Sequence, residues 1–225
     1  MRHAAGTELL DDPTADPAAV RRSLGNIARA NRWFGGNAAV LHGVERLLGA
    51  RPTSRLSLLD LGTGAGDIPA MLRRWGQELG TVVRTFGLDR LQPAARLAHG
   101  RDLPVALGCA STLPFRTDAV DVVTVSQLLH HFEHDAAIGI LREAARVARR
   151  GVVVADLVRS RTAAALFGLG ARVLGFDDHT RVDGITSVGR GYEPDDLADL
   201  FAGAGLTLSC AVRPGWRIVA WGHRQ

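Results

Sequence analysis

The chain contains no lysine. All 27 of its basic residues are arginine, dispersed as single members of helical faces with no long basic block, and 23 acids reduce the formal net charge to +4. A nucleic-acid footprint needs basic residues gathered on one face, so this dispersal reads as composition bias and no nucleic-acid partner is expected. Cysteine is nearly absent too: Cys109 and Cys210 lie far apart and make no CxxC pair. Nothing in their spacing demands a disulfide, and a reducing compartment fits. No apolar run approaches the roughly 20 residues of a membrane span. Met1 to Asp16 carries acids and prolines where a signal peptide would carry an apolar core. Repeats and low-complexity segments are also missing. What remains is a globular chain of 225 residues, expected to be cytoplasmic and to form one domain with at most a small cap. The oligomeric state stays open, a homodimer included.

The most informative stretch runs from Leu58 to Pro69. A short apolar run ends in Asp60, three glycines follow at alternate positions (Gly62, Gly64, Gly66), and Pro69 opens a helical pattern. The run reads as a buried strand and the glycines as a tight turn that lets backbone approach a ligand. Proline suits a first helical turn, where its missing N–H leaves nothing unpaired. Strand, turn and helix together describe a nucleotide-type cofactor site.

Around this stretch the pattern alternates. Asp16-Pro17 caps a predicted helix through about Ala30, with Val20, Leu24 and Ile27 on one face. A second helix carries Val40, Leu41, Val44, Leu47 and Leu48, while the residues before Asp16 read as frayed or loop-like. Strands are predicted at 57–61, 82–88, 104–107, 120–125 and 152–155, with helices at 67–79, 93–99 and 135–149 between them. An apolar helix over 160–176 precedes a polar, glycine-containing segment over 177–191. A helix over 194–204 and two late strands, about 206–212 and 216–221, close the chain. Strands alternating with helices imply an α/β fold with a doubly wound, mostly parallel sheet, and the late hairpin adds an antiparallel C-terminal edge strand. In such sheets ligands bind at the carboxyl ends of the strands, where Asp60, Asp89, Cys109, Ser126, His130 and Asp156 gather.

The glycine spacing separates two cofactor classes. Dinucleotide sites favour G-x-G-x-x-G beneath a pyrophosphate. Here the order is Asp60-x-Gly62-x-Gly64-x-Gly66-Asp67. Two flanking acids suit a cationic or zwitterionic ligand better. Asp89, a little over 20 residues past Gly66 and at the end of the next strand, is placed to accept ribose hydroxyls. At this point the chain resembles the class I S-adenosylmethionine-dependent methyltransferases. Their D/E-x-G-x-G-x-G turn is similar to Asp60–Gly66, and their acid after the second strand to Asp89. Their G-D-A-x-x-L-P-F segment is similar to Gly108–Phe115, and their F-D-x-V…L-H-H stretch to Val120–Val123 with Leu129–Phe132. The motifs keep their order over about residues 56–155.

The resemblance implies a Rossmann-like domain at 51–225, an N-terminal helical cap at 1–50 and a lid insertion at about 157–193. It implies S-adenosylmethionine as cofactor. Gly62, Thr63, Gly64 and Gly66 would lie under its methionine part, with Asp60 ordering the turn. Asp89 with Arg90 would hold the ribose, Ala110 with Cys109 and Ser111 would border the adenine, and Ser126 with Gln127 would face the sulfonium. Cys109 departs from the acid often found there and is a poor acceptor for the adenine amino group, so Ser111 or a backbone carbonyl would substitute. Asn31-Arg32…Gly35-Gly36 and Arg181-Val182-Asp183-Gly184-Ile185-Thr186-Ser187-Val188…Arg190 resemble a bacterial small-molecule branch associated with polyketide-type or aromatic secondary metabolism, although Val182 replaces a histidine common there.

Methyl transfer needs the nucleophile held in line with the leaving sulfur, and a general base where the acceptor is a hydroxyl. His131 and then His130 are the candidate bases, or else they line the site without moving a proton. Asp156 either orients a histidine, meets the acceptor, or caps a helix. Trp33, Phe34 and Phe167 are candidate contacts for an aromatic acceptor. Arg181 and Arg190 either anchor an acidic or phenolic acceptor or fix the lid through Asp183. Trp216 and Trp221 read as strand packing. Asp177-Asp178-His179 is a poor metal set, since adjacent loop residues rarely converge on one ion, and no metal is expected. The leading reading is methylation of a small aromatic or polyketide-like acceptor, at oxygen in preference to carbon. The alternatives are a cofactor-binding relative with non-methylating chemistry and a non-catalytic partner subunit.

Overall fold

The computed structural model describes residues 8–12, 14–49 and 54–224. Helix α1 (Pro17–Trp33) starts as its sequence dictates: the Asp16 carboxylate accepts the Ala19 N–H and Pro17 takes the first helical position. It continues past Ala30 to Trp33, so the interruption is confined to Phe34 and Gly35 before α2 (Gly36–Leu48). The alternating body follows as β1 (Arg55–Leu61), α3 (Asp67–Glu78), β2 (Val82–Asp89), α4 (Gln92–His99), β3 (Val105–Leu107) and β4 (Val120–Ser126). Next come α5 (His134–Val147), β5 (Ala148–Leu157), α6 (Arg161–Val173), α7 (Asp178–Gly189), α8 (Pro194–Gly203), β6 (Ser209–Arg213) and β7 (Arg217–Gly222).

The strands form one sheet in the order β3-β2-β1-β4-β5-β7-β6. β1 to β5 are parallel, β7 inserts antiparallel beside β5, and its hairpin partner β6 takes the edge. The expected doubly wound sheet with its antiparallel C-terminal element is therefore present. Strand order reverses between β1 and β4, which opens a crevice at their carboxyl ends.

Alternation sorts the core. Leu59, Leu61, Val123, Val125, Val152 and Val154 face α5 and α8, which supply Ile140, Leu141, Leu197 and Phe201. Leu58, Val122, Val153 and Val219 face α2 and α3, which supply Val40, Val44, Leu72 and Trp75. Each such side chain is worth about 1.5–3 kcal/mol when fully buried, so the strand ends carrying polar groups hang from a rigid frame. None of the described helices is long and apolar enough to cross a membrane.

Two expectations change. The polar stretch 177–191 folds as α7, because Asp177 caps it by accepting the Thr180 N–H at 3.0 Å. Its glycine serves packing: a Cβ on Gly184 would sit 2.1 Å from the Phe167 ring, so only glycine lets α6 and α7 meet there. The frayed reading of the N-terminus fails for its described part. Leu9–Asp11 is a 3₁₀ turn whose first flanking residue, Glu8, is only 5% exposed.

Candidate active site

The turn after β1 is held from below by backbone. Gly62, Gly64 and Gly66 adopt φ of +66°, +53° and +73°, the left-handed region where side chains are strained. The Gly62 and Thr63 N–H groups donate to the Leu88 carbonyl at 2.8 and 3.1 Å. Asp89 accepts the Gly64 N–H at 2.8 Å and the Leu91 N–H at 2.9 Å. A Cβ on Gly62 would meet Leu128 at 2.9 Å. The turn thus ties the ends of β1 and β2 together while keeping its upper surface bare.

Acids dominate this surface. Asp60 is buried, its carboxylate accepting the Thr124 hydroxyl at 2.7 Å. Burial, reinforced by the neighbouring Asp67 and Asp89, pushes it up to about 7. Burial also raises Asp67 and Asp89. A site of three carboxylates repels pyrophosphate and favours a cation.

Two cavities meet over the turn, sharing Leu10, Leu24, Gly62, Gly64, Gln127 and His131. The first runs past Asp89 and Arg90 to Gly108, Cys109 and Ala110, with Leu128 and Phe132 as its wall. Ser111 lies beside it, its hydroxyl 3.0 Å from Cys109 Sγ. That hydrogen bond draws the exposed Cys109 thiol below its ordinary range. The second cavity takes in Asp60, Thr63, Asp67, Ser126, Gln127, His130 and His131 and reaches Ile27, Ala30, Leu157, Phe167 and Val188. Gly66 lines neither cavity; it packs against Ala98 and Leu103, behind the turn.

The histidines follow β4 on a 3₁₀ turn, Leu129–His131. His130 Nδ1 lies 2.7 Å from Asp156 Oδ1, and both side chains are buried. Asp156 also accepts the Leu157 N–H at 2.8 Å. An ionised Asp156 has no proton to give, so the hydrogen-bond network assigns the imidazole proton to Nδ1 and leaves Nε2 as an acceptor. His130 Nε2 and Ser126 Oγ are both buried without a protein partner, beside the second cavity. His131 is engaged differently: Nδ1 lies 3.0 Å from Asp11 and Nε2 3.8 Å from Glu8.

Glu8 and Asp11 belong to a strap, residues 8–12, whose Leu10 lines both cavities. Glu8 accepts the Ser187 hydroxyl at 2.8 Å and pairs with Arg190 at 3.0 Å. Asp11 pairs with Arg190 at 3.3 Å, and the Leu9 N–H donates to Asp183 at 3.0 Å. Burial raises Glu8 despite these partners. Burial also works to raise Asp11, but the hydrogen bond and charge of His131 win and hold it well below the usual carboxylate range. Glu8, His130 and His131 bring three ligand-type atoms within 4.8 Å of one another, with the Glu8 carboxylate already committed to Arg190 and Ser187. Asp177 caps α7 and Asp178 pairs with Arg181.

Among the expected acceptor contacts, Phe167 lines the second cavity and Phe34 packs edge-on against it, with ring centroids 5.7 Å apart. Trp33 does not take part. It is 67% exposed at the end of α1 and lines neither cavity, because the helical turn that buries Ala30 and Asn31 points it outward. Arg181 pairs with Asp178 at 2.8 Å, and Arg190 holds the strap; neither pairing is with Asp183. Glu8, Asn31, Ser187 and Arg217 also reach the second cavity; Asn31 and Ser187 stand in stretches that carry the family resemblance, while Glu8 and Arg217 carried no signal of periodicity or spacing.

The comparisons with known proteins bear on this geometry. A family model described as a methyltransferase domain matches residues 59–155, from the middle of β1 to β5. A demethylmenaquinone methyltransferase of Roseiflexus castenholzii is 31% identical over 168 residues, covering 69% of this chain and 70% of that protein. The chain belongs to the class I S-adenosylmethionine-dependent methyltransferases. Solved structures share the methyltransferase fold at lower identity. One from Aquifex aeolicus has a TM-score of 0.62 at 15% identity and covers 92% of this chain and 97% of its own. Human N-acetylserotonin methyltransferase, in complex with S-adenosylmethionine, has a TM-score of 0.63 at 12% identity and covers 93% of this chain and 56% of its own.

S-adenosylmethionine is the cofactor of this methyltransferase, and the residues present fit it. The bare upper surface of the turn accommodates an elongated ligand lying across both cavities. The three acids match a ligand with a sulfonium and an ammonium group, and the unpartnered Ser126 hydroxyl borders the second cavity, next in sequence to the shared Gln127.

Proposed function

We propose that this methyltransferase transfers a methyl group to the hydroxyl oxygen of a small aromatic or polyketide-like acceptor, with His130 as general base. The carrying observation is the buried His130–Asp156 pair, whose Nε2 is free beside the cavity. This moves the expected base from His131 to His130, because His131 is engaged by Asp11 and Glu8.

The first cavity would take the adenosine part, with Asp89, whose two backbone contacts leave lone pairs, accepting the ribose hydroxyls. Gly62 and Gly64 would support the methionine part, and Ser126 and Gln127 would stand beside the sulfonium. When bound, the cofactor supplies an electrophilic methyl on a positively charged sulfur. The chain supplies the rest. Ile27, Ala30, Phe167 and Val188 give an apolar wall against which a flat acceptor excludes water. His130 Nε2 would take the hydroxyl proton as the acceptor oxygen gains the methyl, the C–S bonding pair leaving with the sulfur. Asp156 would stabilise the imidazolium through Nδ1–H. The strap with α6 and α7 acts as the lid over this end.

A second reading, methylation of a ring carbon of a quinol, is favoured by the 31% identity to a demethylmenaquinone methyltransferase. Both readings ionise a phenolic hydroxyl, and they differ in which atom of the ambident anion attacks. The test is a panel of phenols and hydroquinones, with S-adenosylhomocysteine release followed and the product methyl located by NMR. An O–CH3 product supports the first reading, a C–CH3 product the second. Turnover that survives His130→Asn undiminished overturns the base assignment.

A further inference from the structure

Arg217 opens β7 opposite Leu157 of β5 and is only 3% exposed, yet it lines the second cavity. Its Nε–H donates to the Phe34 carbonyl at 3.0 Å and one Nη1–H to Gln127 Oε1 at 2.9 Å. Neither partner is charged. Asp156 acts on it only at longer range: its Oδ1 is taken by His130 and the Leu157 N–H, and its buried Oδ2 makes no hydrogen bond to the guanidinium. Burial draws the guanidinium down to about 10. A cation buried this deeply without an ion-pair partner is costly until an anion meets it.

The chain of hydrogen bonds leaving Arg217 is polar in one direction. Gln127 accepts from Arg217 and donates through Nε2 to Asn31 Oδ1, and Asn31 donates through Nδ2 to Asp67 Oδ2 at 3.1 Å. Both amide orientations are thereby fixed. Gln127 holds its place at φ +50°, a region disfavoured for its type, with its N–H on the Ala155 carbonyl at 2.8 Å. A guanidinium and a carboxylate are thus held apart by two amides, and all four groups line the same cavity. Two unlike charges kept from pairing with each other form a receptor for a ligand carrying both signs on one carbon.

We infer that Arg217 and Asp67 are the two poles of a receptor for an α-amino-acid zwitterion, Arg217 taking the carboxylate and Asp67 the ammonium of the cofactor's methionine part, with Asn31 and Gln127 as the spacer between them. The inference rests on the cofactor assignment and is independent of the acceptor and of the base. It makes Arg217, supplied by the C-terminal hairpin, a positioning residue that fixes where the sulfonium lies relative to His130.

The test is calorimetric and needs no turnover. Full-length protein is titrated with S-adenosylhomocysteine, with its descarboxy analogue S-adenosyl-3-thiopropylamine, and with 5′-methylthioadenosine, which keeps the nucleoside and sulfur but lacks the amino-acid end. Arg217→Met is expected to weaken S-adenosylhomocysteine by about 30-fold, the scale of a charge-assisted hydrogen-bonded pair. It should change 5′-methylthioadenosine less than about threefold, and Arg217→Lys should recover part of the loss. For the wild type, the descarboxy analogue should bind about as weakly as S-adenosylhomocysteine binds to Arg217→Met, and combining the two changes should add little. Equal weakening of all three ligands by Arg217→Met makes the arginine a structural tie between Phe34 and Gln127 and overturns the inference. So does wild-type protein that binds the descarboxy analogue as tightly as S-adenosylhomocysteine, a comparison that stands even if the variant does not fold. Failure of the wild type to bind any of the three sinks the cofactor assignment itself.

Discussion

Around the glycine turn, most of the groups facing the cavity come from short stretches that follow strands: Gly62–Gly64 after β1, Leu88–Leu91 at the end of β2, Gly108–Ala110 after β3 and Gln127–Phe132 after β4. Around His130 they come from the strap, α1, β5, α6, α7 and β7. The first region is held by backbone hydrogen bonds to Leu88 and Asp89. The second is held by side-chain pairs: Glu8 with Arg190 and Ser187, Asp11 with His131, His130 with Asp156. A backbone-built site keeps its shape when empty. A site closed by ion pairs between distant segments opens by breaking a few of them. Leu10 lines both cavities, which places the strap over the path between them. The two regions thus differ in what holds them: strand-end hydrogen bonds on one side, ion pairs between distant segments on the other.

The comparison breaks most visibly at the two histidines. His130→Asn should lower kcat by about 10²- to 10⁴-fold, the range for loss of a general base, and leave S-adenosylhomocysteine affinity nearly unchanged. His131→Asn, which removes a strap contact, should lower kcat less than about tenfold and speed cofactor release instead. Equal losses in kcat would mean the two residues are not separated in role. On the donor side, Asp89→Ala should weaken S-adenosylhomocysteine by roughly 10- to 100-fold in calorimetry, since a charged acceptor of several hydrogen bonds is lost. Smaller still is the strap itself. Glu8→Gln keeps the shape but removes a buried charge from Arg190, and a loss of about 1–2 kcal/mol in denaturant unfolding is expected, with faster cofactor dissociation in stopped flow. A strap variant that slows dissociation would contradict a lid.

The same contrast explains what could be read in advance. The donor site was legible because its requirements are local: alternating glycines for positive φ, an acid at each strand end, a strand period that survives burial. The sheet and its late hairpin were legible for the same reason. The acceptor end was not. Arg217 looks like any residue opening a hairpin strand, and Asn31 entered only through a resemblance that assigned it no contact. Glu8 sits in a run of acids and prolines that resembles loop. Their roles arise from tertiary placement, and only the tertiary structure shows Arg190 paired with Glu8 and Asp11. Trp33 misleads in the opposite sense: an aromatic beside a glycine pair suggests a contact, but one extra turn of α1 carries it to solvent.

The finest distinction between the two ends is electrostatic. Burial first, then Asp67 and Asp89, lift Asp60 to about 7 against an ordinary value of 3.8. In the unfolded chain this acid releases its proton near pH 4, whereas in the folded, cofactor-free protein it keeps it to about pH 7. Between those values the folded state holds more protons, so Asp60 makes stability fall as pH rises. A bound sulfonium cation reverses the preference by favouring the ionised carboxylate. Binding should therefore release a proton, and affinity should rise from pH 6 to pH 8 by up to about tenfold, the limit set by one unit of linked pKa shift. Calorimetry in two buffers of different ionisation enthalpy reads the released proton directly. Asp60→Asn removes the titrating group while keeping an acceptor for Thr124, and should abolish both the proton release and the pH slope while costing less affinity than Asp89→Ala. Persistence of the slope in Asp60→Asn would move its origin to Asp67 or Asp89, and the donor site would then sense pH through the residues that touch the ligand rather than through the acid that supports the turn.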